Sequence, residues 1–202
     1  MTDTQQTGNV VSLNAVRTSY LYCFQPYVNV DDNGKKTESY CSHFIMDVGH
    51  TGIALVVAAM KSAAAGQWGA KADDMYNALK GQHKLCLKEG SICKAGEEPY
   101  AGKLFISSSN KKRPLVIDGQ RNILAAGDSL APYSGCWVNA RIQVWAQDNK
   151  YGKRINASLL GIQFLRHDEA FGGGRIATVD EFGVVANDAD ADAPANATAG
   201  LF

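Results

Sequence analysis

The chain has 202 residues, 46% of them hydrophobic and 20% charged, which suits one domain with a real core. It holds no run of about 18 apolar residues, and residues 1–16 lack the basic start and apolar centre of a signal peptide, so neither a membrane-spanning nor an exported protein is expected. Twenty basic residues balance twenty acidic ones, but unevenly: beyond Phe171 five carboxylates face the single Arg175, which leaves residues 1–171 at +4, a charge that suits a polyanion partner.

Residues 1–14 are polar and are expected to be disordered, with the folded domain running from 15 to 171. "AVRTSYLYCF" from Ala15 is rich in β-branched and aromatic residues and reads as a strand. Tyr20, Tyr22 and Phe24 share one of its faces, and packing into a core is as good an account of them as exposure. After Pro26, two extended runs flank Asp32-Asn33-Gly34, where Asn-Gly supplies the positive φ of a tight hairpin turn.

At 51–68 the period changes to three and four in an alanine-rich run, and a second helix follows up to Gly81, so a helical insertion is expected at about 51–81. Residues 82–99 have no clear period and read as a loop with short extended pieces. Strand patterns return in "YAGKLFISSS", "RPLVID", "GCWVNARIQVWAQ" and "RINASLLGIQFLR", separated by turn-forming segments. Strands, then helices, then strands suit a mainly β fold with a helical insertion, a five-stranded Greek-key OB barrel with extra hairpins. Beyond 171 a Gly run leads into an Ala/Asp/Asn-rich segment, expected to be a flexible acidic tail over 172–202 ending in Leu201 and Phe202.

The run 136–147 alternates strictly. Cys136, Val138, Ala140, Ile142, Val144 and Ala146 fall on one side, and Trp137, Asn139, Arg141, Gln143, Trp145 and Gln147 on the other. Two tryptophans flanking Arg141 on a polar face fit a platform on which nucleic-acid bases stack. They equally fit packing beneath a helix. Eight residues apart, about 26 Å at strand rise, the rings cannot clamp one base. Lys111, Lys112 and Arg113 lie close to Phe105 and Tyr100, and Lys150, Tyr151, Lys153 and Arg154 repeat the basic-aromatic pairing on a second turn. Such groups neutralise phosphates along a strand.

Five cysteines, an odd count without framework spacing, fit free thiols in a reducing compartment. Cys41, His43, His83, Cys86 and Cys93 are poorly spaced for zinc, and no metal or other cofactor is expected. Phosphate-binding loops and nucleophile elbows are missing, and Asp73-Asp74 are helix neighbours that do not face one another, so no catalytic residue is assigned. His167, Asp168 and Glu169 read as exposed polar surface.

"RTSYLYCFQP", "YAGKLFISSSNKKRPLVID" and "YSGCWVNARIQVWAQDNKYGKRINASLLGIQFLRHDEAFGG", taken as an ordered set over about residues 15–173, resemble the single-stranded DNA-binding proteins of tailed bacteriophages, a family of OB-fold replication proteins. The resemblance implies a non-catalytic protein that coats and protects single-stranded DNA with little sequence preference during replication or recombination, in the cytoplasm of the infected bacterium. On the aromatic and basic pattern above, stacking is expected from Trp137, Trp145, Phe105 and Tyr100, and phosphate contacts from Lys111, Lys112, Arg113, Arg141, Lys153, Arg154 and Arg17. The tail, through Asp188, Asp190, Asp192, Leu201 and Phe202, would recruit a phage polymerase or helicase, or fold back on the basic body. A homodimer through an edge strand is compatible with it. A virion or assembly protein using the sheet as a protein interface is the alternative, and a metal-dependent nucleic-acid enzyme a more distant one.

Overall fold

In the computed structural model, residues 9–172 are described. The expected tail residues Asp188, Asp190, Asp192, Leu201 and Phe202 lie outside them. Seven strands form one sheet: β1 (Val10–Val30), β2 (Lys36–Met46), β3 (Leu87–Glu89), β4 (Leu104–Asn110), β5 (Leu115–Ile117), β6 (Trp137–Asn149) and β7 (Gly152–Arg166), in the order β3-β4-β2-β1-β6-β7-β5. All pairings are antiparallel except β5 with β7. Without β3 and β5, the order β4-β2-β1-β6-β7 is that of a five-stranded, partly open OB barrel.

The two ends of that order meet. Leu85 bridges Ile155 in parallel, the Ile155 amide donates to the Lys84 carbonyl at 3.1 Å, the Ser107 amide donates to the Cys86 carbonyl at 3.0 Å, and the Asn110 side-chain amide reaches the Leu159 carbonyl at 3.0 Å. The segment 84–86 thus stitches β4 to β7. These residues belong to the stretch whose period was unreadable, because a seam strand has a different neighbour on each edge.

Helices α1 (Gly52–Trp68) and α2 (Ala72–Gly81) fall within the expected insertion. α1 turns Val56, Ala59, Met60, Ala63 and Ala64 into the core, where they meet Leu13, Val16, Phe44, Ile142 and Leu159. Its alanines let the helix approach the barrel closely, and removing this apolar surface from water is the main force holding the insertion in place.

β1 departs from the expectation in two ways. It begins at Val10, so Val10–Asn14 are ordered strand rather than part of a disordered terminus, and it continues through Pro26 to Val30. Its first half pairs with β6 and its second with β2, so one strand serves both halves of the barrel. The bend is made by register shifts at Leu13/Val16 and Ser19/Tyr22, beside Ala15 (φ 51°) and Tyr20 (φ 49°). Side chains at positive φ cost on the order of 1–2 kcal/mol each. Local bonds offset this: the Asn139 side-chain oxygen accepts from the Ala15 amide at 3.0 Å, and Ser134 Oγ accepts from the Leu21 amide at 3.0 Å.

Candidate nucleic-acid interface

The alternation of β6 is realised in the fold. Val138, Ala140, Ile142 and Val144 are buried inside the barrel, and Trp137, Asn139, Arg141, Gln143, Trp145 and Gln147 face outward. The two tryptophans nevertheless have different surroundings. Trp145 is 38% exposed, its Nε1 donating to Ser158 Oγ at 3.0 Å. Trp137 is half-buried, with Nε1 donating to Asp168 Oδ2 at 2.6 Å and the Arg166 guanidinium 4.4 Å above its ring. That Trp137 hydrogen bond, with the Glu169 amide and the nearby arginines, holds the Asp168 carboxyl below its usual range. Arg141, midway between them, is exposed and donates to Ser12 Oγ at 3.2 Å.

Tyr100 and Phe105 correct the expectation. They are 1% and 2% exposed, so neither ring offers a face to a base. They pack with Ile45 in a small apolar cluster on the outside of the barrel, where Tyr100, carried by the strap that runs through α3 (Gly90–Cys93) to Lys103, closes over Phe105. The strap can fold back on itself only with glycine at position 90, where a Cβ would collide with the Tyr100 carbonyl oxygen. His43 completes the cluster: Nδ1 is 2.9 Å from the Tyr100 hydroxyl and its ring lies 4.8 Å from that of Phe105. Burial, reinforced by Lys94 and Lys88, lowers the His43 pKa to about 4.

Besides Trp145 and the turn residue Tyr151, 70% exposed, the exposed aromatics lie on β1. Tyr20, Tyr22 and Tyr27 are 43%, 38% and 45% exposed, and the rings of Tyr22 and Tyr27 meet edge to face at 5.1 Å. Tyr20 and Tyr22 border a cavity of about 490 Å³ whose walls include Pro99, Ser134 and Phe171. The Lys94 ammonium sits 4.1 Å over the Tyr20 ring, held by Glu97 at 2.9 Å, and Glu97 also accepts from the Tyr20 hydroxyl at 2.9 Å. Phe24, on the same face by simple alternation, packs against the core, because the register shifts of β1 break the period between them.

Of the basic residues, Lys111, Lys112 and Arg113 are exposed on the turn after β4, with the Arg113 guanidinium 5.4 Å over the Phe24 ring. Lys153 pairs with Asp148 at 3.3 Å, and Arg154 lines a groove at the barrel seam. Arg17 is committed elsewhere. Its guanidinium donates to the carbonyls of Gly135 (2.9 Å) and Glu169 (3.0 Å), pairs with Asp168 at 3.3 Å and covers the Phe171 ring at 4.4 Å. This arginine fastens residues 168–171 to the barrel, which corrects its assignment to phosphate. Asp168 and Glu169, read as free polar surface, belong to the same latch.

Among the described residues no group of three or more His, Cys, Asp or Glu side chains is placed to hold a metal ion, and no helix is long and apolar enough to cross a membrane.

A family model described as the ssDNA-binding protein of Enterobacter phage Enc34 matches residues 9–193. A protein of Acyrthosiphon pisum secondary endosymbiont phage 1, named putative protein p50, is 37% identical over 175 residues, covering 85% of this chain and 91% of its own. The single-stranded DNA-binding protein of bacteriophage Enc34, solved in complex with ssDNA, superposes with a TM-score of 0.67 at 26% identity over 82% of this chain and 91% of that one. The single-stranded DNA-binding protein gp2.5 of bacteriophage T7 shares the fold, with a TM-score of 0.52 at 13% identity over 91% and 98% of the two chains.

Proposed function

The chain belongs to the family of the Enterobacter phage Enc34 ssDNA-binding protein, and from that premise we propose that it coats single-stranded DNA with little sequence preference during phage replication or recombination. Its activity is binding, without catalysis. The observation that carries the reading is the row of exposed tyrosines on β1, with Tyr22 and Tyr27 open and Tyr20 beneath Lys94, flanked by the basic turn 111–113. Bases stack on such rings for about 1–3 kcal/mol each whatever their identity, while cations neutralise the backbone.

In this reading Tyr22 and Tyr27 stack on bases, Tyr20 does so once Lys94 is displaced, and Lys111, Lys112 and Arg113 contact phosphates. Trp145 and Arg141 serve the strand where it passes β6, and Trp137 is assigned to packing. Work in the host cytoplasm, recruitment of replication proteins by residues 172–202 through Asp188, Asp190, Asp192, Leu201 and Phe202, and a homodimer remain parts of the proposal.

Fluorescence titration with oligo-dT at low salt tests it. Binding is expected to weaken roughly tenfold or more in Tyr22→Ala, with duplex DNA bound less tightly than oligo-dT. Binding unchanged in both Tyr22→Ala and Tyr27→Ala would remove the tyrosine row from the interface.

A further inference from the structure

The seam where β4 meets β7 carries a groove of about 470 Å³ that the stacking surface does not use. Its lining includes Lys84, Lys88, Ser107, Ser109, Arg154 and Asn156, and no carboxylate is among the residues that line it. Among the described residues, none of the three cations has an ion-pair partner, whereas Arg17, Lys94, Lys103, Lys153 and Arg166 each do. Three like charges brought together without a counter-charge repel one another, and an anion bound between them relieves that repulsion. Lys84 comes from the stitching segment, Lys88 from β3 and Arg154 from β7, so the site exists only once the barrel has closed.

The groove continues the tyrosine face. Tyr22 is paired with Cys41 and Cys41 with Ser109, two strand spacings or about 10 Å. Gln82 and His83 also line the groove, so its polar wall presents hydroxyl, amide, ammonium and guanidinium donors and a single ring, the His83 imidazole. Cations and donors gathered without a carboxylate suit a phosphodiester better than a neutral base. On the far side lies Trp145, in register with Asn156 of the groove wall.

We propose that this seam is a second leg of the interface, a subsite for backbone phosphates reached by strands long enough to leave the tyrosines and cross β4. The inference rests on the strand-binding reading above. A strand that fits the tyrosine face alone leaves the seam empty; a longer one fills both.

The test compares oligo-dT of about four and about 16 nucleotides, the span of site sizes for one OB fold. The full chain is compared with a variant carrying Lys84→Ala, Lys88→Ala and Arg154→Ala, and with a charge-preserving one carrying Lys84→Arg, Lys88→Arg and Arg154→Lys. For the long oligomer the alanine variant is expected to lose at least tenfold in affinity at low salt. Its plot of log affinity against log salt should flatten by about 2, at roughly 0.7 per phosphate contact removed. The short oligomer should change less than twofold, and the charge-preserving variant should behave as the parent. Equal losses at both lengths, or a slope that does not change, overturn the proposal. Tyr22→Ala separates this result from the broader reading, since it should weaken both lengths. If Tyr22→Ala has no effect while the seam variant loses the long oligomer selectively, the stacking surface fails and the phosphate subsite stands.

Discussion

The ammonium of Lys94 rests 4.1 Å above the ring of Tyr20, and Glu97 binds both partners, the lysine at 2.9 Å and the tyrosine hydroxyl at 2.9 Å. The ring face that a base would need is occupied by a cation, and a carboxylate keeps the cation there. An incoming phosphate offers Lys94 another anion. Its departure opens the ring, so strand binding and the uncovering of Tyr20 are one exchange of partners.

Glu97→Gln should therefore raise affinity for oligo-dT by about three- to tenfold at low salt, because it frees Lys94 at a cost of about 1 kcal/mol in lost contacts. Glu98→Gln removes the same charge one residue away and is expected to give less than half that gain. Equal gains in the two variants would mean that only overall charge matters.

The tryptophans should separate by measurement. Trp145→Ala is expected to remove most of the fluorescence change on DNA binding while leaving the urea midpoint nearly unaltered. Trp137→Ala should lower stability by about 1–3 kcal/mol, since it strips the Asp168 carboxylate and the Arg166 guanidinium of their shared partner. DNA affinity corrected for folding should be unchanged in Trp137→Ala.

Gly135 is held at φ 112°, and a Cβ there would strike the Glu169 carbonyl oxygen, where residues 168–171 cross the barrel. Gly135→Ala should destabilise the protein by at least about 1–2 kcal/mol. Hydrogen exchange at 168–171 should rise before exchange elsewhere, because that segment is what the new methyl group displaces.

His43 gives stability a pH dependence of definite sign. Burial lowers its pKa to about 4 in the fold against 6.5 for the free group, so between these values the unfolded chain binds a proton that the folded chain refuses. The contribution is intact above pH 6.5 and is lost as pH falls towards 4. His43→Gln should flatten the urea midpoint across that window, a comparison best made at several pH values with the carboxylates otherwise unchanged.

What the sequence shows and hides can be followed residue by residue. The outward face of β6 is legible because the extra residues at its register shifts lie on its partners, Leu160 and Leu165 of β7 and residues 14–15 of β1, so β6 itself alternates without interruption. The helical insertion is legible because its period and composition both change at Gly52. Tyr20, Tyr22 and Phe24 are not legible as a set, since the shifts around Tyr20 and Pro26 break the count and send Phe24 towards the core. Tyr100 and Phe105 mislead for a different reason: alternation tells which face Phe105 takes, and says nothing of the preceding strap, which carries Tyr100 and folds back over that face. The seam cations Lys84 and Lys88 lie in a segment whose function depends on two partners far along the chain, and no local pattern announces such a place. Arg17 looks like any basic residue beside aromatics until Gly135, Asp168 and Phe171 are assembled around it.

The double duty of β1 also governs how the molecule is made. Val10 pairs with Gln143 and Val11 with Ile142, so the first strand synthesised waits for one of the last before half of its hydrogen bonds exist. Contacts of such long sequence separation fold slowly. On the ribosome, β1 and β2 can form their hairpin early, but the apolar side of residues 10–16 stays uncovered until β6 has emerged. Truncation before residue 143 should therefore yield an aggregating chain rather than a smaller barrel.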